Sequence, residues 1–182
     1  MKTTQAEGVP VPAPETITLR DGARLTVRPI RPDDAPRLQA FHMRLSPESI
    51  YLRYLGPHPV LTQPEAERLT TLDYQTRMAF VAIREEGGEN HIVGVARYNA
   101  LGPERPDEAE AAIVIEDAYQ GRGLGTVLME RLLAYSRTHG IRSIVAEISA
   151  GNDRMLRFMQ RSGLPIERKL EGGMWEVRLR LN

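Results

Sequence analysis

The chain has 182 residues, 41% of them hydrophobic, enough for one well-buried core and too few for two ordinary domains. Lys plus Arg and Asp plus Glu number 24 each, so no net field draws in nucleic acid, an anionic membrane or an acidic substrate from a distance. Cysteine is absent, which excludes disulfides, thiolate metal sites and thiol-based acyl intermediates.

The opening MKTTQAEGVPVPAPET has no hydrophobic region of signal-peptide type, and the longest apolar run, MAFVAI at 78–83, is far short of the ~20 residues that span a bilayer. A cytoplasmic protein with no membrane partner is expected. Residues 1–15, rich in proline and small residues, read as a flexible tail, and 16–182 as one domain without repeat or linker. ITLRDGARLTVRPI alternates around Asp21-Gly22, a dipeptide suited to a tight hairpin turn. Asp33 or Asp34 can then cap a helix in which Ala35, Leu38, Phe41, His42 and Leu45 recur at helical spacing. A second short helix starts after Ser46, with Pro47 at its first position, and TQPEAERLTTLD makes a third. The period changes at RMAFVAIREE and HIVGVARYNAL, two β-rich runs separated by Gly87-Gly88, and EAEAAIVIED supplies another strand. After it come QGRGLG and a long amphipathic helix closed by Gly140, then the strand SIVAEIS, a helix NDRMLRFMQRSG capped by Asn152 or Asp153, and a final strand EVRLRL. The order is mixed α/β.

The turn at 120–125 carries the functional signal. A chain that leaves a strand and starts a helix at once exposes several N–H groups without intrahelical partners, all aimed at one spot. Glycine at 121, 123 and 125 removes side chains that would hold an anion away, and the helix dipole favours negative charge there. The expected ligand is a phosphate or diphosphate. A dinucleotide fingerprint would need a third glycine where Thr126 stands, and a P-loop would end in Gly-Lys-Ser/Thr, so neither fits.

Gln120, Gly123 and Gly125, between an apolar strand and a long helix, resemble the acetyl-coenzyme A signature of the GNAT superfamily of N-acetyltransferases, and GNDRMLRFMQRSGL at 151–164 resembles the family's second segment. RPIRPDDAPRLQAFHMRLSPESIYLRYLG with AEAAIVIEDAYQGRGLG is similar to the acetyltransferase domain of Pat-type protein lysine acetyltransferases. Those enzymes often carry an additional nucleotide-sensing or synthetase-like domain, for which 182 residues leave no room. The resemblance implies an α/β (α+β) GNAT fold: a mixed sheet of about six to seven strands, splayed in a V between the fourth and fifth, with flanking helices. It implies acetyl-CoA as cosubstrate, no metal, and a primary amine acceptor, a protein lysine ahead of a small amine or amino acid. A catalytically silent acyl-CoA sensor is the reading from another class, and monomer and dimer stay open.

The same resemblance assigns cofactor contacts to Val114, Ile115, Glu116, Gln120, Gly121, Arg122, Gly123, Leu124, Gly125, Thr126 and Asn152, the first three through free strand backbone along the pantetheine. A lysine amine must be neutral to attack a thioester, and near pH 7 that costs about 4.6 kcal/mol, so a carboxylate is needed to take its proton. Glu110, at the start of an apolar strand, matches the family's general base; Glu108, Glu116 and Glu147 are alternatives, the first two sharing a face with Glu110 under strict alternation. Where many members have a proton-donating tyrosine this chain has Met159, expected as core filler. Tyr51, Arg53 and Tyr54 are the expected acceptor-side residues, and Arg53 is a candidate to position an acidic group beside the amine.

Overall fold

In the computed structural model, which describes residues 10–181, the Asp21-Gly22 dipeptide closes a hairpin between β1 (Glu15–Thr18) and β2 (Arg24–Pro29). Gly22 takes φ 86°, and the Asp21 carboxylate accepts from the Ala23 N–H at 3.1 Å, so both residues serve the turn. Of the tail expected over 1–15, residues 1–9 lie outside the described residues and Glu15 already belongs to β1. Three helices follow: α1 (Ala35–Arg44), α2 (Pro47–Tyr54) and α3 (Gln63–Thr70). Ser46 caps α2 by accepting from Ser49 N–H, with Pro47 in the first turn, and Thr62 and Glu65 close a capping box on α3.

β3 (Arg77–Glu86) and β4 (Glu89–Ala100) turn at Gly87-Gly88, and β5 (Glu108–Ile115) runs into the glycine turn and α4 (Leu124–Thr138). β6 (Ser143–Ser149), α5 (Asp153–Gln160), β7 (Ile166–Glu171) and β8 (Met174–Arg180) complete the chain. The strands form one sheet in the order β1-β2-β3-β4-β5-β6-β8-β7, parallel only between β5 and β6. That is eight strands where six to seven are expected. The additional one is β7, whose IERKLE lies at the sheet edge and is exposed beyond Ile166, so it carries no alternation to read. β5 and β6 pair only from Glu108↔Ser143 to Glu110↔Val145 and then part. In this chain's count the splay falls between the fifth and sixth strands, because the amino-terminal hairpin supplies two strands.

Helices cover both sheet faces. On one, Leu124, Leu128 and Leu132 of α4 are fully buried, and the close approach depends on Gly94: a Cβ there would stand 2.9 Å from Ile115 Cδ1 and 3.0 Å from Leu128 Cδ1. On the other, Leu38 and Phe41 of α1 and Ala66 of α3 pack on Ile30, Val81 and Ile92. Of Asp33 and Asp34, the two expected caps, Asp34 stands at the start of α1 but its side chain accepts nothing from that helix; it is fully buried and accepts from Arg28 Nη1 and Nη2 at 2.7 and 2.8 Å and, closing the short 3-10 turn before α1, from Arg31 N–H at 2.9 Å. Burial alone would push its carboxyl up, but the bonds from Arg28 and Arg31 outweigh that and hold it below the usual carboxylate range.

Asp34→Ala would leave the Arg28 cation buried without a partner, so about 3–5 kcal/mol of stability should be lost in denaturant unfolding. A loss under about 0.5 kcal/mol would show that Arg28 escapes to water. Because the folded-state pKa is depressed, the pair's contribution is present above the unfolded carboxyl's pKa of about 3.9 and drains as pH falls through the folded value. Asp34→Asn should lack that acid-limb dependence.

Candidate active site

A cleft of about 640 Å³ opens where β5 and β6 part. Glu110 is the last β5 residue paired with β6, so it stands at the apex of the V, and its side chain is exposed. The other candidate carboxylates are placed differently. Glu108 is bonded to Arg105 and Arg178; burial would raise its carboxyl, but those bonds win and lower it, which leaves a poor proton acceptor. Glu116 pairs with Arg44 at 3.2 Å. Glu147 is exposed on β6, opposite Glu176 of β8.

The backbone pattern revises which strand residues face the opening. Glu116 N–H donates to the Val93 carbonyl and Leu101 N–H to the Glu108 carbonyl, so the even-numbered residues of β5 aim their peptide groups at β4. Ile113 and Ile115 therefore present theirs to the splay, and the side chains of Ile113, Val114 and Ile115 all line the cleft. Ile113 was missed in the sequence although alternation could have found it. Glu116 is not brought to the cleft, since its carboxylate, N–H and carbonyl are all bonded elsewhere.

At the turn, Gly121 and Gly123 have φ 74° and 91°, a region costly for other residues. Gly125 is helical, and a Cβ on it would meet Phe158 only at 3.6 Å, an ordinary contact. A glycine in a helix costs about 1 kcal/mol relative to alanine, and nothing inside the protein requires one at 125. What it leaves is bare backbone on the cleft wall, beside first-turn N–H groups that α4 cannot satisfy. Gln120, Gly121, Gly123, Gly125, Thr126 and Asn152 line the cleft. Leu124 instead buries its side chain in the core, and Arg122 folds onto Asp21 and the Tyr119 ring, 4.6 Å from its centroid.

Gln120 joins the parts. Its amide donates to the Ile115 carbonyl at 2.9 Å and to Ser49 Oγ at 3.1 Å, and its oxygen accepts from Arg154. Asp117 accepts from Ser46 N–H, Ser46 Oγ and Ser49 Oγ, tying the start of α2 to the strand end. Asn152 caps α5 through Met155 N–H at 3.1 Å. Cations gather on the walls: Arg20 from the first hairpin, Arg154 and Arg157 on α5, and Arg161 at its carboxy-terminal cap. The spacing of the last three, legible in the sequence, puts them on one helix face; nothing local ties Arg20 to the cleft. Such a wall can hold a polyphosphate, and the polar backbone of the splay can hold an extended amide arm. Arg53 lines the cleft and Tyr54 a smaller adjoining cavity, while Tyr51 is 52% exposed and lines neither. Met159 is buried in the core. No group of three or more potential metal ligands occurs among the described residues, and none of their helices is long and apolar enough to cross a membrane.

The family described as an acetyltransferase (GNAT) domain matches residues 24–165. An acetyltransferase of Pseudomonas aeruginosa is 39% identical over 138 residues, covering 76% of this chain and 73% of that one. The acetyltransferase Pat of Mycolicibacterium smegmatis is 29% identical over 150 residues, 82% of this chain but 44% of that protein. The crystal structure of the GNAT domain of S. lividans PAT superposes with a TM-score of 0.83 at 34% identity, covering 93% of this chain and 98% of that one.

Proposed function

The chain belongs to the GNAT acetyltransferase family, and from that membership we propose that it passes the acetyl group of acetyl-CoA directly to a primary amine, a lysine on a protein, with Glu110 as general base. Acetyl-CoA is the cosubstrate that the fold implies, and it supplies the activated acetyl carbon. The observation that carries the reading is the succession of three features along β5 and into the cleft, Glu110 standing at the apex of the splay rather than among the residues that line the cleft. The sheet opens past Glu110, the peptide groups of Ile113 and the N–H of Ile115 are left without a β6 partner at the gap, and the glycine turn with its unsatisfied N–H groups closes the far end.

In this arrangement the Ile113 peptide groups and the Ile115 N–H align the pantetheine, and an N–H of this edge donates to the thioester carbonyl, while Gln120 keeps the Ile115 carbonyl occupied. The α4 N-terminus and the arginines of α5 hold the phosphates. Glu110 takes the ammonium proton, directly or through one water, so that a neutral amine attacks the thioester carbon; the C–N bond forms, the C–S bond breaks, and coenzyme A leaves as a thiolate that takes up, through water, the proton shed by the new amide nitrogen. Two carboxylates nearby are already engaged by arginines, which leaves Glu110 free to cycle.

The lysine assignment is supported by the likeness to Pat proteins, which extends through α1 and α2 on the acceptor side. If the acceptor is a folded protein, a polyamine or short peptide should have kcat/KM lower by about two orders of magnitude at matched amine concentration. Mass spectrometry of lysines acetylated in a cell lysate supplies the protein acceptor, and coenzyme A release reads the rates. Equal efficiency on the polyamine would move the reading to a small-amine acetyltransferase; coenzyme A binding without turnover on every acceptor would make the chain a sensor.

A further inference from the structure

Among the described residues two arginines are buried, and one of the two has a counter-ion. Arg28 is neutralised by Asp34. Arg97, on β4, is 6% exposed; its Nη2 donates to the Leu69 carbonyl at 3.2 Å, and among the described residues it forms no ion pair. Burial, and next the neighbouring Arg53 cation, pull Arg97 down to about 9. Among the described residues only the Leu69 carbonyl meets this charge and no carboxylate does, and a buried ion without a counter-ion is a cost that packing alone gives no reason to keep.

Its position supplies a reason. Arg97 is the cross-strand partner of Ala112 and Glu110 that of Asn99, so Arg97 and Glu110 are diagonal neighbours on one sheet face, about 7–8 Å apart. Arg97, Arg53 and Tyr54 line a cavity of about 20 Å³ whose other walls are mainly apolar side chains of α1, α3 and the sheet. Arg53 and Val114 line both this cavity and the large cleft, so the two spaces adjoin at the strand that carries Glu110. Tyr54 sits under the Arg53 guanidinium, 4.9 Å from its ring centroid, which holds that second cation at the mouth.

We propose that Arg97, with Arg53 at the mouth, binds a carboxylate carried by the acceptor beside the amine that Glu110 deprotonates. This rests on reading the cleft as the site of acetyl transfer. A guanidinium offers paired N–H donors that match a planar carboxylate, and a narrow apolar-walled cavity suits that flat group better than a tetrahedral phosphate. On a protein the carboxylate would be an Asp or Glu side chain flanking the lysine; a free amino acid carries the same group next to its amine.

The test is calorimetric binding to the coenzyme A complex, which needs no turnover. The probes are two matched pairs: acetyl-lysine peptides with Glu or Gln beside the acetyl-lysine, and an N-acetyl amino acid with its amide. The carboxylate member of at least one pair should bind roughly tenfold tighter or better, the size of one charge-assisted hydrogen bond, and the pair that shows it identifies the source. In Arg97→Met the advantage should fall below about threefold while coenzyme A affinity is kept, since Arg97 does not line the large cleft. If Arg97→Met does not fold, Arg97→Lys, which keeps the charge and loses the fork, is held to the same criterion. Equal binding within both pairs, no binding by any probe, or an advantage that survives loss of the guanidinium overturns the proposal. A carboxylate advantage without acetyl transfer to any amine would leave the anion site standing and sink the activity instead.

Discussion

Glu110→Gln should lower turnover at pH 7 by about 10²- to 10⁴-fold while coenzyme A affinity stays within about twofold, because the change removes a proton acceptor and keeps the shape. Glu110 is exposed at the apex of the splay, so the substitution leaves no buried group unpaired and the fold should hold. The deficit should shrink as pH rises toward the amine's own pKa of about 10.4, where solvent supplies the neutral nucleophile. A pH-rate profile measured at saturating acetyl-CoA checks both points. Normal turnover at pH 7 would remove Glu110 from the role. Glu147, exposed on the facing arm and in no ion pair among the described residues, would then be the carboxylate to replace; Glu108 and Glu116 would not, being held in ion pairs.

Gly125→Val should reduce coenzyme A affinity by about a hundredfold or more while shifting the thermal midpoint little, which separates ligand clash from misfolding. The glycine turn offers a less clean probe at Gly123: with φ 91° there, any side chain strains the backbone whether or not a ligand is present. At Gly125 the backbone is helical and a Cβ meets Phe158, Ile113 and Ile115 at 3.6, 3.8 and 3.9 Å, ordinary contacts with residues that themselves line the cleft, so the added branches take up space on the cleft wall. Gly125→Ala, smaller and a better helix former, should gain stability and lose affinity by less. Titration of coenzyme A against each folded variant decides it, and unchanged affinity in Gly125→Val would take the turn out of the site.

Local chemistry was enough to read much of this protein. Asp21-Gly22 and Gly87-Gly88 mark their hairpins because only certain residues tolerate those turns, and Ser46, Thr62 and Asn152 mark helix starts because their side chains accept from nearby N–H groups. The helix-opening glycines point to an anion for the same kind of reason: one short segment holds the turn, the bare backbone and the free donors. The edge strand β7 escaped notice because it buries almost nothing and so keeps no periodicity.

What the sequence by itself determined, then, is the five helices and seven of the eight strands among the described residues, a glycine turn that opens a helix, and a short list of candidate carboxylates. Only the tertiary structure set those carboxylates apart, since the ion pairs of Glu108 with Arg178 and of Glu116 with Arg44 span about 70 residues of chain and depend on strand register and helix packing. It brought Arg20 of the first hairpin against the turn at Gly123, and it put Ile113 rather than Glu116 on the open edge of β5, because hydrogen bonding to β4 alternates residue by residue. It alone distinguished two similar arginines: Arg28 folds against Asp34, while Arg97 is buried with no carboxylate in reach, a difference that no composition or spacing encodes because it is set by what the other strands and helices bring alongside.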